Sequence, residues 1–297
     1  MKTVATLPLL LAASRAARIL QSNDDGWAEK NIRVFNDALV AADNDVVLSA
    51  PADNQSGTSS LDRPPESREE PCQFDSCPAN SPAVGTDPDN PRLQYVNSFP
   101  VTSIKSGISD LAPRFFDGQA PELAVTGPNV GSNLDVTVQI SGTVGAAVEA
   151  VKQGIPAIAF SGRSGSPISY EADTPLYAQI YADLATNLTT HILESGTPYL
   201  PDGVWLNVNF SSVNDTECND VSQFQFVLSR INVPVPLISD DDVETCGDDR
   251  LPLERQVVDS GCFVSVSPGD ADDKTTVDAE RQAIVQEKLS GLLTCLP

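Results

Sequence analysis

The chain has 297 residues, 41 acidic against 18 basic, and a net charge of -23. That balance excludes a nucleic-acid groove, because contact with a phosphate backbone needs clustered Lys and Arg, and no such cluster occurs. With 40% hydrophobic and 20% charged residues, the chain can bury the core of one large α/β domain or two smaller ones, and an anionic ligand would need a local positive point such as a metal ion or a helix N-terminus.

Residues 1–17 read as a secretory leader: Lys2, an apolar stretch from Val4 to Ala13, then small residues before a cut near Ala16 or Ala17. The run is too short to span a bilayer, and no other stretch is a candidate, so neither a membrane nor a nucleic-acid polymer is an expected partner. Six cysteines fit three disulfides in a secreted chain, with Cys72 and Cys77 close enough to close a small loop. The sequons at Asn187, Asn209 and Asn214 fit the same compartment, whereas the Asn54 sequon falls in a loop read below as part of a site.

Residues 18–23 read as a strand that ends in Asn23-Asp24-Asp25-Gly26. A helix follows from about Trp27 to Ala42, with Ile32, Phe35, Leu39 and Val40 on one face. Val46–Pro51 is a second buried strand, so the three form a parallel, right-handed βαβ unit. A polar loop, 53–60, leaves that second strand on the same sheet edge as Asp24 and Asp25. Residues 62–92 hold seven prolines and many charges, which predicts a long surface excursion without a core of its own, stapled by Cys72 and Cys77.

Leu93–Asn97 reads as a short strand, Val101–Phe116 as a helix and Leu123–Thr126 as a strand, followed by the amide-rich loop 127–133. Ser141-Gly142-Thr143 caps a helix running to Gln153, and Gly145, Ala146 and Ala147 suit close packing on the sheet. Ala157–Ser161 is the next buried strand. Thr174 and Pro175 predict a cap and first helical turn, with Leu176, Ile180, Leu184 and Leu188 as the apolar stripe. From about 200 onward the pattern becomes an α+β extension with hairpins, interrupted by a run, Asp240-Asp241-Asp242, that reads as a solvated loop. A last helix, Val277–Leu293, closes the chain.

Three loops thus lie at strand ends: Asn23–Gly26, Asn54–Gly57 and Gly127–Asn129. Their carboxylates, hydroxyl and amide carbonyl suit a hard divalent cation, Mg²⁺, Mn²⁺ or Ca²⁺. Beside them the helix start at Ser141, Gly142 and Thr143 offers free N–H groups to an anion. Metal plus anion cradle is the equipment for phosphoryl chemistry. Asn23 orients either the loop or the phosphate, and the nearest general base is one of Asp24 and Asp25. His191 is the only histidine and sits near a helix end, where packing or a dipole contact accounts for it; no Gly-x-Ser-x-Gly elbow or Walker motif occurs. Two rivals from other classes are a secreted nucleotide- or cation-binding module without turnover, and a glycosylated structural protein.

The motifs Ser22–Gly26, Ala50–Ser60, Thr126–Asn133, Ser141–Ala147 and Leu206–Asn209, in that order, resemble the survival protein SurE family of metal-dependent phosphatases and nucleotidases, and the insert and secretory features resemble its secreted fungal acid-phosphatase branch. The resemblance implies that residues 18–297 form a single domain with a Rossmann-like three-layer core and mostly parallel sheet. It implies that Asp24, Asp25, Ser56 and Asn129 bind the metal and that Ser141, Gly142 and Thr143 contact the phosphate of a small substrate; the loop reading adds Asn23 and Asn129 beside that phosphate. It further implies a C-terminal hairpin that can swap between protomers, and a homodimer or homotetramer. Asn31 stands where the family has glycine; asparagine tolerates φ > 0 next best, so a left-handed conformation is expected there.

Overall fold

The computed structural model describes residues 16–235 and 239–297, so the expected leader lies outside the described residues except for Ala16 and Ala17. Strand Arg18–Ser22 (β1), helix Lys30–Ala41 (α1) and strand Asp45–Pro51 (β2) form the βαβ unit, with β1 and β2 parallel. The helix starts three residues after Trp27 because Glu29 caps it, its carboxylate accepting the Asn31 N–H at 2.5 Å. Ile32, Phe35 and Leu39 are buried, whereas Val40 turns to solvent, one step past the edge of the stripe. Asn31 is helical, not left-handed; its side chain, not its backbone, distinguishes it from glycine.

The proline-rich insert is more than a surface excursion. It adds a short edge strand, Val84–Thr86 (β3), antiparallel to Leu93–Val96 (β4), and its Cys72–Cys77 disulfide packs with Trp27, Leu48 and Tyr95. Helix Pro100–Ser106 (α2) runs through a wider turn, Gly107–Leu111, into Ala112–Phe115 (α3). Strand Leu123–Val130 (β5) continues past Thr126 through an irregularity in its pairing, so Asn129 sits on a strand end and not in a free loop. Then come helix Gly142–Lys152 (α4), strand Ala157–Gly162 (β6), helix Leu176–Glu194 (α5) and strand Val204–Phe210 (β7). Pro175 is the cap of α5 and lies before its first helical residue; Leu176 is half-exposed and leaves the stripe to Ile180, Leu184 and Leu188.

The extension widens the sheet. Strand Gln225–Leu228 (β8), helix Glu254–Asp259 (α6), strand Phe263–Asp270 (β9) and helix Ala279–Lys288 (α7) follow, the last shorter than the sequence pattern. β9 runs antiparallel to β7 and parallel to β8, while hairpin-like pairing is confined to bridges such as Thr245–Asp248 and Gly269–Thr276. Disulfides Cys218–Cys262 and Cys246–Cys295 tie this part together. Asp242 is not solvated: it is buried, paired with Arg230 at 2.5 Å and bonded to Leu251 N–H and the Gln282 amide. Asn209 is also buried, within β7, with its amide bonded to Asn133, so its sequon is closed to glycosylation in the folded chain, while Asn187 and Asn214 are exposed.

The strand order is β3-β4-β2-β1-β5-β6-β7-β9-β8, and β4 to β7 are all parallel. Successive side chains of β1 enter opposite cores: Ile19 joins Phe35, Phe160, Tyr181 and Phe210 under α1 and α5, and Leu20 joins Ile104, Val148 and Trp205 under α2 and α4. This is the expected three-layer α/β core. The chain leaves β1 toward β2 on one side and places β5 on the other. Such a reversal opens a crevice at the carboxyl ends of the strands, where open α/β sheets bind ligands.

Candidate active site

Asp24 and Asp25 leave the end of β1 directly in that crevice. Both are buried, at 2% and 1% exposure. Asp24 Oδ1 accepts the Thr143 hydroxyl at 2.6 Å, and the Gly142 and Thr143 N–H groups also face this carboxylate. The start of α4 therefore points its donors at Asp24. Gly142 is required here: a Cβ would lie 2.8 Å from the Asp24 Cβ and 2.9 Å from Pro100. Asn129, from the neighbouring β5, accepts the same Thr143 hydroxyl at 3.3 Å through Oδ1 and donates to Gly131 O through Nδ2. The Val130 N–H donates to Asp25 Oδ2 at 2.8 Å. Ser141 caps α4, accepting the Val144 N–H. Asp24, Asp25, Asn129, Ser141, Gly142 and Thr143 are thus gathered at one place.

Ser56 is held less tightly. Its loop follows β2 and is fixed to the pair by the Gln55 N–H on Asp24 O at 2.6 Å and the Asn54 amide on Asp25 Oδ1 at 3.5 Å. The Ser56 N–H is spent on Asn54 Oδ1, and the residue is exposed. Asn23 is committed to the turn: its amide donates to Gly26 O at 3.0 Å and accepts the Gly26 N–H at 3.2 Å. Of the two roles open to Asn23, the geometry serves the loop.

Burial raises the Asp24 carboxyl pKa against the Thr143 hydroxyl and the Thr143 and Gly142 N–H groups, which lower it. Asp25 is pushed well above the ordinary carboxylate range, first by burial, then by Asp24, then by Glu29. No Lys or Arg is among the groups acting on either. Two adjacent buried acids without a cation are costly when ionised. Among the described residues no group of three or more His, Cys, Asp or Glu gathers to hold a metal, so an ion here would also draw on amide and hydroxyl oxygens. Two carboxylates with an amide oxygen and a hydroxyl are a hard, all-oxygen set, and they fit Mg²⁺, Mn²⁺ or Ca²⁺.

Several residues near the crevice have roles that sequence reasoning missed. Glu29 is fully buried, its Oε1 lacks a partner, and burial pushes its carboxyl up to about 7. Asn31 donates to Pro128 O, one residue before Asn129. Lys274 is buried, with Nζ on Ser59 Oγ at 3.0 Å, and burial lowers its pKa to about 8. Gly145 does not serve the sheet; its Cβ would collide with Ser59 O, so it lets the 53–60 loop lie against α4. Only the charge of Glu29, close behind the acidic pair in sequence, was a usable signal.

The profile of the family described as "Survival protein SurE" matches residues 19–232. An acid phosphatase of Yarrowia lipolytica is 33% identical over 278 residues, covering 84% of this chain and 78% of that protein. A 5'-nucleotidase SurE of Nitrosococcus oceani is 32% identical over 203 residues, 68% of each chain. The crystal structure of the SurE protein from Aquifex aeolicus superposes with a TM-score of 0.59 at 20% identity, covering 91% of this chain and 98% of that one, which is a likeness of fold.

Proposed function

The chain belongs to the survival protein SurE family, and from that membership and the geometry of the crevice we propose that it is a metal-dependent hydrolase of phosphate monoesters. The names of the relatives, an acid phosphatase and 5'-nucleotidases, point to small phosphorylated substrates. The observation that carries the reading is the buried pair Asp24 and Asp25 facing Asn129 and the first turn of α4.

Asp24, Asp25, Asn129 and Ser56 would hold a divalent ion, Mg²⁺ or Mn²⁺ foremost and Ca²⁺ third, which when bound supplies Lewis-acid polarisation of the phosphoryl group. The chain's own residues do the rest. The Gly142 and Thr143 N–H groups and the Thr143 hydroxyl donate to phosphate oxygens, in competition with Asp24, and the dipole of α4 favours the anion. Ser141 keeps that helix start rigid as its cap. Attack by water requires a proton acceptor, and the Asp24/Asp25 pair is the nearest one. Asn23 holds the turn that aims the pair.

Three disulfides and the leader-like N-terminal sequence support secretion, and exposed Asn187 and Asn214 are the proposed glycosylation sites. The resemblance supports a homodimer or homotetramer. No helix among the described residues is long and apolar enough to cross a membrane.

The test is Asp24→Ala with para-nitrophenyl phosphate and a panel of nucleoside monophosphates, each with Mg²⁺, Mn²⁺ or Ca²⁺. Phosphate release should vanish with the fold retained, and parental turnover by the variant would overturn the metal-site assignment. Nucleotide binding by the parental chain without phosphate release would favour a binding module.

A further inference from the structure

The proline-rich insert lies behind the site, and one of its residues is built into the loop that carries Ser56. Arg68 is 8% exposed. Its guanidinium grips Asp53 with two bonds, Nη1 to Oδ2 at 2.7 Å and Nη2 to Oδ1 at 3.1 Å. The remaining donors go to Asn97 Oδ1, Pro71 O and Glu70 O. Five bonds from one side chain leave it a single position.

Asp53 is the first residue of the 53–60 loop, next to Asn54 and three before Ser56. It also accepts the Gln73 N–H at 2.9 Å, and Gln73 lies beside the Cys72–Cys77 disulfide. Gln73 in turn packs on the acidic turn: a Cβ on Gly26 would lie 2.5 Å from its Oε1, and Gly26 has φ of +108°. The insert therefore touches both loops that would share the metal. Among the described residues no hydrogen bond holds the Ser56 side chain, and the residue is exposed. Its position depends on how its loop is anchored.

We infer that Arg68 is a positioning residue, which holds Asp53 so that the 53–60 loop presents Ser56 to the ion bound by Asp24 and Asp25. Planar two-point contact suits a guanidinium and not an ammonium. Residues that orient metal ligands typically matter by about 10- to 100-fold in metal affinity. The inference rests on the metal-site reading given above.

The test compares the parental chain, Asp53→Asn, Arg68→Met, Arg68→Lys and Asp24→Ala, all stripped of metal. Mn²⁺ affinity is measured by calorimetry, and kcat and KM for para-nitrophenyl phosphate at saturating Mn²⁺. Expected are a Mn²⁺ Kd raised about 10- to 100-fold in Asp53→Asn and Arg68→Met, a smaller rise in Arg68→Lys, and kcat restored at saturating Mn²⁺. If Arg68→Met does not fold, Asp53→Asn decides. A parental Kd in the variants, or a loss of kcat that saturating Mn²⁺ does not restore, overturns the positioning role. The metal reading survives that result provided Asp24→Ala alone abolishes Mn²⁺ binding; a parental chain that binds no Mn²⁺ overturns both.

Discussion

Replacing Glu254 with Gln should remove a large part of the chain's loss of stability toward alkaline pH. Glu254 opens α6 and is completely buried. Its Oε1 accepts the Asn207 amide at 2.6 Å, while its Oε2 and Asn207 Oδ1, both acceptors when the acid is ionised, lack partners. A proton on Glu254 turns its unpartnered Oε2 from a charged acceptor into a neutral hydroxyl. Burial pushes its pKa from 4.5 up to about 8, against the hydrogen bond from the Asn207 amide, and the nearby Asp135 charge adds to the rise. The folded pKa is raised, so between pH 4.5 and about 8 the folded chain keeps a proton that the unfolded chain has lost. Stability from this group is therefore full at acid pH and declines through that window. The separation corresponds to roughly 5 kcal/mol at most, and relaxation of the ionised site brings the expected figure to about 2–5 kcal/mol. Gln keeps the shape and the donor and cannot ionise. Melting temperatures of both proteins, taken in chelator from pH 5 to 8.5, should diverge by roughly 5–10 °C in favour of the variant as pH rises. Glu29, Asp24 and Asp25 titrate in both proteins and cancel from the difference. Parallel curves would refute the argument.

Asp25→Asn should abolish turnover yet raise the melting temperature of the metal-free chain as pH rises, because a carboxyl that burial, Asp24 and Glu29 make costly to ionise gives way to an amide whose contact with the Val130 N–H can persist; calorimetric melting shows the gain, and a drop would contradict the charge argument. Gly145→Ala should lower both stability and substrate affinity, since its methyl group meets Ser59 O, by about 2 kcal/mol or more in denaturant unfolding. Reducing Cys218–Cys262 and Cys246–Cys295, which span 44 and 49 residues, should cost roughly 4 kcal/mol each by loop entropy; an unchanged melting temperature in strong reductant would contradict this.

Much of the crevice was legible because its parts sit at strand ends marked by local patterns. The apolar run ending in Asp24 and Asp25, the proline that closes β2 and the Ser141 cap each announce an element boundary, and βαβ chirality places all three on one edge. What stayed hidden depends on contacts distant in sequence. Nothing near Arg68 shows that it pairs with Asp53, and Lys274 reaches Ser59 across 215 positions. Asp242 looked like one of three solvated acids until Arg230 and Gln282 came to meet it. Periodicity also misplaced Val40 and Leu176, because a helix end can satisfy the 3.6-residue rhythm after its neighbours have stopped. The Asn31 expectation failed for a different reason: the Glu29 cap starts α1 before that residue, and the helix fixes its φ.

The most direct measurement is phosphate release from a nucleoside monophosphate by the parental chain, first stripped with chelator and then given back Mn²⁺. Release should stop in chelator, return with Mn²⁺, and not return in Asp24→Ala. Undiminished release from the stripped chain would contradict it.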